Sequence, residues 1–129
     1  MYDLIGDIHG HALPLKQLLA KLDYTEKNGF WQHPERKVIF LGDFIDRGPE
    51  QVEAVLIAKA MVENNAALAV MGNHEFNAVA WTIPNPDKPG EFLRPHTERY
   101  LRQHQIFLEQ VIEGSTLHQE ITDWFATLP

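Results

Sequence analysis

The sequence predicts an α/β fold organised around a parallel sheet, and three features support this prediction. Short apolar segments that end at a glycine alternate with segments of helical periodicity over the first two thirds of the chain. Strands joined through helices pair in parallel, with right-handed connections. The 129 residues, of which 44% are apolar, are enough for one domain with a hydrophobic core, which we expect to span residues 1–129.

The first strand, helix and turn are predicted from local patterns. Residues 2–5 form an extended segment that stops at Gly6, and a turn signal with two aromatic residues at 28–31 indicates a small hairpin or loop. The helix between them has an apolar repeat of helical spacing, formed by Leu15, Leu18, Leu19 and Leu22.

Three further segments complete the alternation. Residues 37–41 are a nearly continuous apolar run that ends at Gly42, which predicts a strand covered on both faces. Residues 50–63 form a helix that is apolar around most of its circumference, and residues 67–71 form a third strand that ends at Gly72. Because parallel strands end at the same edge of a sheet, we expect the three loops that follow them to lie together.

The last third of the chain has a different character. Four of the eight prolines fall within residues 84–95, which predicts an irregular surface loop. Two helices are expected to follow, over 97–112 and 115–127, with Ser115 as the cap of the second.

Composition excludes several classes of protein. With 11 basic and 18 acidic residues the net charge is −7, which disfavours binding to nucleic-acid backbones or anionic membranes. No apolar run approaches the ~20 residues that cross a bilayer, and the N-terminus lacks the pattern of an export signal. Without cysteine, a metal can be held only by His, Asp, Glu or Asn, which suit hard or borderline cations. We expect a cytoplasmic protein.

Polar residues of the ligand type follow each of the three predicted strands. The loops read Gly-Asp-Ile-His-Gly at 6–10, Gly-Asp-Phe-Ile-Asp-Arg-Gly at 42–48 and Gly-Asn-His-Glu at 72–75. The first motif is weak on its own, but the three together, in order and each after a strand, are specific.

These residue types suit a metal site that cleaves phosphate esters. In an extended segment Asp7 and His9 would point to the same side and could hold one divalent cation. The two oxygens of Asp43 can bridge two metals that lie ~3.5–4 Å apart, and Asn73 offers a neutral oxygen to the second metal. Arg47 has the planar fork that matches phosphate oxygens.

Structural alternatives exist for the same residues. Asp and Asn often cap helices, and Arg47 could form a surface ion pair with Asp43 or Asp46. For Glu75 a structural hydrogen bond at a helix start is favoured over a ligand role. The remaining histidines are expected to be exposed loop or surface residues, and the tryptophans core or interface anchors: His11, His33, His96, His104, His118, Trp31, Trp81 and Trp124.

The three loops resemble the first three motifs of the calcineurin-like metallophosphoesterase superfamily. Their form is similar to the branch of serine/threonine protein phosphatases and bacterial diadenosine tetraphosphatase-like enzymes, with the strong resemblance covering residues 2–80. The resemblance implies the α/β/β/α sandwich of metallo-dependent phosphatases, of which this chain would form the first βαβαβ half followed by C-terminal helices.

The resemblance also implies two divalent metal ions. Asp7 and His9 would bind the first, Asp43 would bridge both, and Asn73 would bind the second. Manganese is the metal expected first, and iron, zinc, magnesium or nickel are alternatives.

The implied reaction is hydrolysis of a phosphate ester by a metal-bridging hydroxide. Arg47 would hold the phosphate, and His74, oriented by Asp46, would protonate the leaving group. The motif forms favour a phosphoprotein or a dinucleoside polyphosphate as the phosphorylated substrate.

The chain departs from the family in lacking two downstream histidines that bind the second metal. We therefore expect it to be the N-terminal half of a longer enzyme, or a shortened relative. The alternative function is a catalytically incomplete metal-binding fragment that acts as an assembly module. Half of a sandwich would expose an apolar sheet face, so we expect a homo-oligomer through that face. A nucleotide-binding module is disfavoured, because no glycine-rich phosphate loop occurs.

Overall fold

Five strands and five helices make up the chain in the computed structural model, which describes residues 1–129. In chain order they are β1 Tyr2–Ile5, α1 Ala12–Lys21, β2 Thr25–Lys27, β3 Phe30–Gln32, β4 Lys37–Phe40, α2 Gln51–Glu63, β5 Ala67–Ala69, α3 Asn73–Thr82, α4 Glu98–Val111 and α5 Thr116–Thr127.

The main sheet has the strand order β1-β4-β5, and both strand pairs are parallel. The register aligns Leu4 with Ile39 and Ile39 with Leu68. The loops after the three strands therefore begin at the same edge of the sheet, as the sequence predicted. β2 and β3 form the predicted hairpin as a separate antiparallel pair.

The two faces of the main sheet differ in burial. One face carries the buried side chains, which pack with the helices in a single core: Ile5, Val38, Phe40, Ala67 and Ala69. On the opposite face Leu4 is 66% exposed and Leu68 is 49% exposed. The prediction that the central strand is covered on both faces is therefore wrong, because β4 buries Val38 and Phe40 but only partly covers Ile39. The predicted exposed apolar face is present.

The C-terminal helices begin where the sequence predicted. The Ser115 hydroxyl accepts a hydrogen bond from the His118 amide and caps α5, and the Thr97 hydroxyl caps α4 in the same way. Residues 84–95 form no helix and no named strand. The sequence did not delimit α3, which begins directly within the third loop, at Asn73. No helix of the structure has the length and apolar character needed to cross a membrane.

Candidate metal centre

The first and second loops are joined by main-chain hydrogen bonds. The His9 amide donates to the Asp43 carbonyl at 2.8 Å, and the Gly10 amide donates to the Phe44 carbonyl at 2.7 Å. A third bond runs from the Gly48 amide to the His9 carbonyl at 2.6 Å. Because main-chain atoms form these bonds, the two loops are fixed relative to each other whatever their side chains do.

Glu75 joins the second loop to the third. Its carboxylate is fully buried and accepts hydrogen bonds from the amides of Asp43 at 2.6 Å, Phe44 at 2.9 Å and Gly72 at 3.0 Å. Burial raises the pKa of Glu75, and the three amides oppose that rise because they stabilise the ionised form. The expectation of a structural hydrogen bond at a helix start is confirmed, since the Gly72 amide lies at the N-terminus of α3.

Close contact between glycines allows the second and third loops to approach. Gly42 has a φ of +88°, and a Cβ at this position would lie 2.7 Å from the Gly72 Cα. Any side chain at Gly42 would therefore separate the loops that carry Asp43 and Asn73.

Asp7, His9 and Asp43 form a group that can hold a metal ion. One potential ligand atom from each lies within 4.8 Å of the others. His9 Nδ1 lies 2.9 Å from the Ile45 carbonyl oxygen, which can only accept, so Nδ1 carries the proton. The lone pair is then on Nε2, 3.7 Å from Asp7 Oδ1. A histidine that donates one ring nitrogen to a carbonyl and leaves the other free fits the arrangement of metal-ligating imidazoles.

The route by which Asp7 and His9 converge differs from the expected one. We expected an extended segment, but the backbone is left-handed at both residues, with φ of +52° at Asp7 and +43° at His9. The second loop has the same feature at Asp43, Asp46 and Arg47. The loops therefore reach the site through tight turns that are unfavourable for residues with a side chain.

Asn73 and Arg47 lie at the same site as the metal group. A cavity of about 510 Å³ is lined by both of them together with Asp7, His9, His11, Asp43 and His74. Asn73 is the first residue of α3 and is exposed, and Arg47 is exposed and forms no ion pair with Asp43 or Asp46. His11, which we expected to be an exposed loop residue, is exposed and also lines the cavity.

The helix-cap alternative does not describe the predicted ligands. The N-cap residues of α1, α2 and α3 are His11, Glu50 and Gly72. Asp43 does accept a hydrogen bond from the His74 amide at 3.3 Å, but this contact reaches α3 from another loop.

His74 and Asp46 are in direct contact, as the resemblance implied. Nδ1 of His74 donates to Asp46 Oδ2 at 2.9 Å, and Asp46 is buried. The other carboxylate oxygen, Oδ1, accepts from Nδ1 of His104 on α4, also at 2.9 Å. The expectation that His104 is a surface residue is therefore wrong: it is 5% exposed and part of the site.

The other histidines that were predicted to lie at the surface differ in their exposure. His118 is also buried, with Nδ1 accepting from the Gly114 amide at 3.1 Å, and burial lowers its pKa. His33 is half-buried against Tyr24. His96 is exposed as predicted, although its ring stacks on Trp81 with centroids 3.7 Å apart. Of the tryptophans, Trp81 and Trp124 are buried anchors and Trp31 is half-buried.

A parallel sheet with acidic, histidine and amide side chains on the loops at its carboxyl edge is typical of metal-binding α/β proteins. A family model described as calcineurin-like phosphoesterase matches residues 2–129. The chain belongs to the calcineurin-like phosphoesterase family.

Three relatives illustrate the similarity. The asymmetrical bis(5′-nucleosyl)-tetraphosphatase PrpE of Oceanobacillus iheyensis is 41% identical over 73 residues, 56% of this chain and 29% of that protein. Its Bacillus subtilis counterpart is 40% identical over 88 residues, 67% of this chain and 36% of that protein. A Saccharomyces cerevisiae protein serine/threonine phosphatase with similarity to human phosphatase PP5 has the same fold, with a TM-score of 0.61 and 22% identity over 99% of this chain and 33% of that one. The chain thus spans about a third of the length of these proteins.

The loop contact at Gly42 gives a prediction with a matched control. Gly42→Ala and Gly90→Ala both place a side chain at a positive φ, +88° and +84°, but only Gly42 has neighbours within 4 Å. We expect each to lose about 1 kcal/mol of unfolding free energy from backbone strain, and Gly42→Ala to lose about 1–3 kcal/mol more from overpacking. Urea unfolding of both variants measures the difference. Equal losses would contradict the role of the Gly42–Gly72 contact.

Proposed function

We propose that the chain carries the centre of a metal-dependent phosphoesterase that hydrolyses phosphate esters of the dinucleoside polyphosphate or phosphoprotein class. The observation that carries this proposal is the convergence of the Asp7, His9 and Asp43 group with the hydrogen-bonded His74–Asp46 pair. A group of metal-ligand side chains beside an oriented histidine suits phosphate-ester hydrolysis, because bound metal ions can activate water and a positioned histidine can protonate the leaving group.

Each side chain has a proposed task. Asp7 and His9 would hold the first metal, Asp43 would be a ligand of both metals, and Asn73 would contribute its amide oxygen to the second. Bound divalent cations supply Lewis-acid chemistry, acidifying a water molecule and neutralising phosphate charge. Manganese is the metal we propose first. Three of the four proposed ligands offer oxygen, which suits manganese and magnesium, and the imidazole of His9 suits iron, zinc and nickel.

The proton for the leaving group comes from His74 in this proposal. Asp46 accepts from Nδ1 and thereby fixes the ring, so that Nε2 is the nitrogen that exchanges a proton with substrate. Arg47, exposed in the same cavity, is placed to bind phosphate oxygens. His104 acts as a positioning residue, because its bond to Asp46 Oδ1 holds the carboxylate that orients His74.

The relatives support a nucleotide substrate over a phosphoprotein. The proteins with about 40% identity are named bis(5′-nucleosyl)-tetraphosphatases, whereas the protein phosphatase named above is 22% identical and supports the fold alone. We therefore place dinucleoside polyphosphates first.

The small number of ligands for a second metal favours a second candidate function. In this alternative the chain is a metal-binding fragment without turnover. The only group of three or more acidic or histidine ligands in the structure is Asp7, His9 and Asp43. Beyond these, Asn73 is the remaining proposed ligand. His104 and His118 are buried residues of α4 and α5, and His104 is already hydrogen-bonded to Asp46. The comparisons give this candidate no support, and metal stoichiometry separates it from the first.

Asp43→Asn tests the proposal. We expect the unaltered chain to bind two manganese ions and to hydrolyse p-nitrophenyl phosphate. Asp43→Asn should lose at least about 100-fold in activity, because an amide keeps one neutral oxygen and lacks the charged pair of oxygens that can bridge two metals. Asp87→Asn, an exposed aspartate outside the cavity, is the control and should keep both properties. Calorimetric titration with manganese gives the stoichiometry. One ion bound without turnover would support the fragment instead, and no ion bound would refute both candidates.

His74→Asn tests the proposed proton transfer to the leaving group. We expect a loss of about 10²–10⁴-fold with an alkyl phosphate ester, whose alkoxide must be protonated, and a much smaller loss with p-nitrophenyl phosphate. The ratio of kcat/KM for the two substrates is the measurement. Equal losses with both would assign His74 to binding rather than to proton transfer.

The exposed face of the sheet supports a proposal of self-association. Leu4 and Leu68 flank Ile39 on this face, and Tyr2, Leu41 and Val70 add exposed apolar surface. A continuous apolar face of this kind favours contact with a second copy of the chain.

Two other predictions stay predictions: a single domain over 1–129, as half of a longer enzyme or a shortened relative, and a cytoplasmic location.

The double variant Leu4→Lys, Leu68→Lys tests self-association. Light scattering should show the unaltered chain as a dimer or larger species and the double variant as a monomer, because two charges cannot be buried unpaired in an apolar contact. Leu13→Lys with Leu101→Lys, which changes exposed leucines on α1 and α4, should leave the oligomer intact. A monomeric unaltered chain at all concentrations would overturn this proposal.

A further inference from the structure

A second cavity adjoins the metal cavity and is rich in arginine. It has a volume of about 610 Å³, and its lining includes Arg47, Arg94, Arg99 and Arg102. These are four of the five arginines of a chain whose net charge is −7. Arginine is therefore concentrated at one place on an otherwise acidic molecule, and we call this second cavity the arginine cleft.

The arrangement of the arginine cleft follows from α4 and the loop before it. Arg99, Arg102 and Gln103 are spaced by three and four residues and lie on one face of the helix, adjacent to the face that buries His104. Arg94 is held by two contacts: its guanidinium lies 3.9 Å above the ring of Tyr100, and it donates to Gln103 Oε1 at 3.2 Å.

The positive charge of the arginine cleft is not neutralised within the chain. Arg47, Arg94 and Arg99 form no ion pair, and Arg102 has a single exposed one, with Glu98 at 3.9 Å. The only carboxylate in the lining is Asp46, whose two oxygens already accept from two histidines. The cleft therefore offers an anion several unpaired guanidinium groups.

The arginine cleft and the metal cavity meet at three residues. Arg47, Asn73 and His74 line both cavities. In the proposed function Arg47 binds the phosphate that is cleaved and His74 contacts its leaving group, so a substrate held there extends into the arginine cleft on one side. Further charge on that part of the substrate would lie among Arg94, Arg99 and Arg102.

We infer that the arginine cleft binds the additional phosphates of a substrate in which several phosphates are joined in a chain. This inference rests on the proposed function, because it assigns the metal cavity to the phosphate that is cleaved. Arg99 and Arg102 are specificity-determining residues in this arrangement: they distinguish a phosphate chain from an isolated phosphate by charge-assisted hydrogen bonds to the oxygens beyond the first phosphorus.

The lining favours a phosphate chain over a phosphorylated or acidic peptide. Tyr100 and Ile106 are its only apolar residues, and the Tyr100 ring is covered on one side by Arg94. A peptide groove offers apolar pockets or a strand edge for side-chain anchors. The forks of the arginines instead match the oxygen pairs of successive phosphates.

Binding of inorganic tripolyphosphate and of orthophosphate tests the inference. The titrations use the chain without added metal, because free tripolyphosphate chelates metal ions and the arginines of the cleft are not proposed metal ligands. We expect tripolyphosphate to bind at least about tenfold more tightly than orthophosphate. The double variant Arg99→Gln, Arg102→Gln should reduce that ratio at least about fivefold, which corresponds to a modest contribution from each exposed arginine.

A variant of equal charge separates the arginine cleft from general electrostatics. Lys21→Gln with Lys27→Gln also removes two positive charges, but both lysines are exposed and lie outside the cleft. This control should leave the ratio within about twofold of the unaltered chain. Because Arg99 and Arg102 are exposed, both double variants should unfold at the same urea concentration, which verifies that the fold is kept.

Three outcomes would overturn the inference: equal affinity for both anions, an equal effect of the lysine variant, or an acidic phosphopeptide that competes as strongly as tripolyphosphate. None of these depends on turnover. A chain that binds tripolyphosphate through Arg99 and Arg102 but hydrolyses no ester would refute the proposed function and retain the binding site. A chain that hydrolyses esters but does not prefer tripolyphosphate would retain the proposed function and refute the binding site.

Discussion

The geometry of the site depends on one buried carboxylate. Glu75 accepts hydrogen bonds from amides in two loops, two of them from the second and one from the third. A buried carboxylate without such donors would be strongly destabilising, so Glu75 is compatible with the fold only when both loops are in place. The same contact sets the position of Asp43 and of the first turn of α3, which carries Asn73 and His74.

This connection explains how the chain tolerates an unfavourable backbone at the candidate ligands. Five of its nine non-glycine residues with positive φ lie in the first two loops, and two of these are Asp7 and His9. Each such residue costs about 1–2 kcal/mol relative to an ordinary conformation. The main-chain bonds between the first two loops and the Glu75 contact between the last two offset this strain. The candidate ligands are thereby held in place by the protein itself, which would reduce the ordering that binding a cation requires.

The sequence predicted the parts of the structure that depend on local patterns and on sheet topology. Parallel strands end at one edge, so three motifs separated by about thirty residues could be placed together without knowing any contact. The turn geometry of Asp7 and His9 could not be predicted, because their left-handed backbone depends on bonds to another loop. The exposed face of β4 was also misjudged, since an apolar strand does not reveal whether a second layer covers it. His104 is the clearest omission. It lies 58 residues from Asp46 in the sequence. The one indication that it is buried was its position on the apolar face of α4.

The proposed site has to accommodate both metal cations and an anionic phosphate substrate, and the distribution of charge in the chain makes this possible. Carboxylates such as Asp7 and Asp43 attract metal ions, but they repel a phosphate ester that approaches the same atoms. A bound cation neutralises the inner carboxylates, yet the net charge of −7 still opposes the approach of an anion from solvent. The guanidinium groups of the arginine cleft place positive charge beside the metal cavity, where the proposed substrate would bind. The arginines of α4 lie outside the three loops. They therefore add positive charge without replacing any of the candidate metal ligands. The same helix supplies His104 to Asp46, so α4 contributes both to the arginine cleft and to the carboxylate that contacts His74, the proposed proton donor.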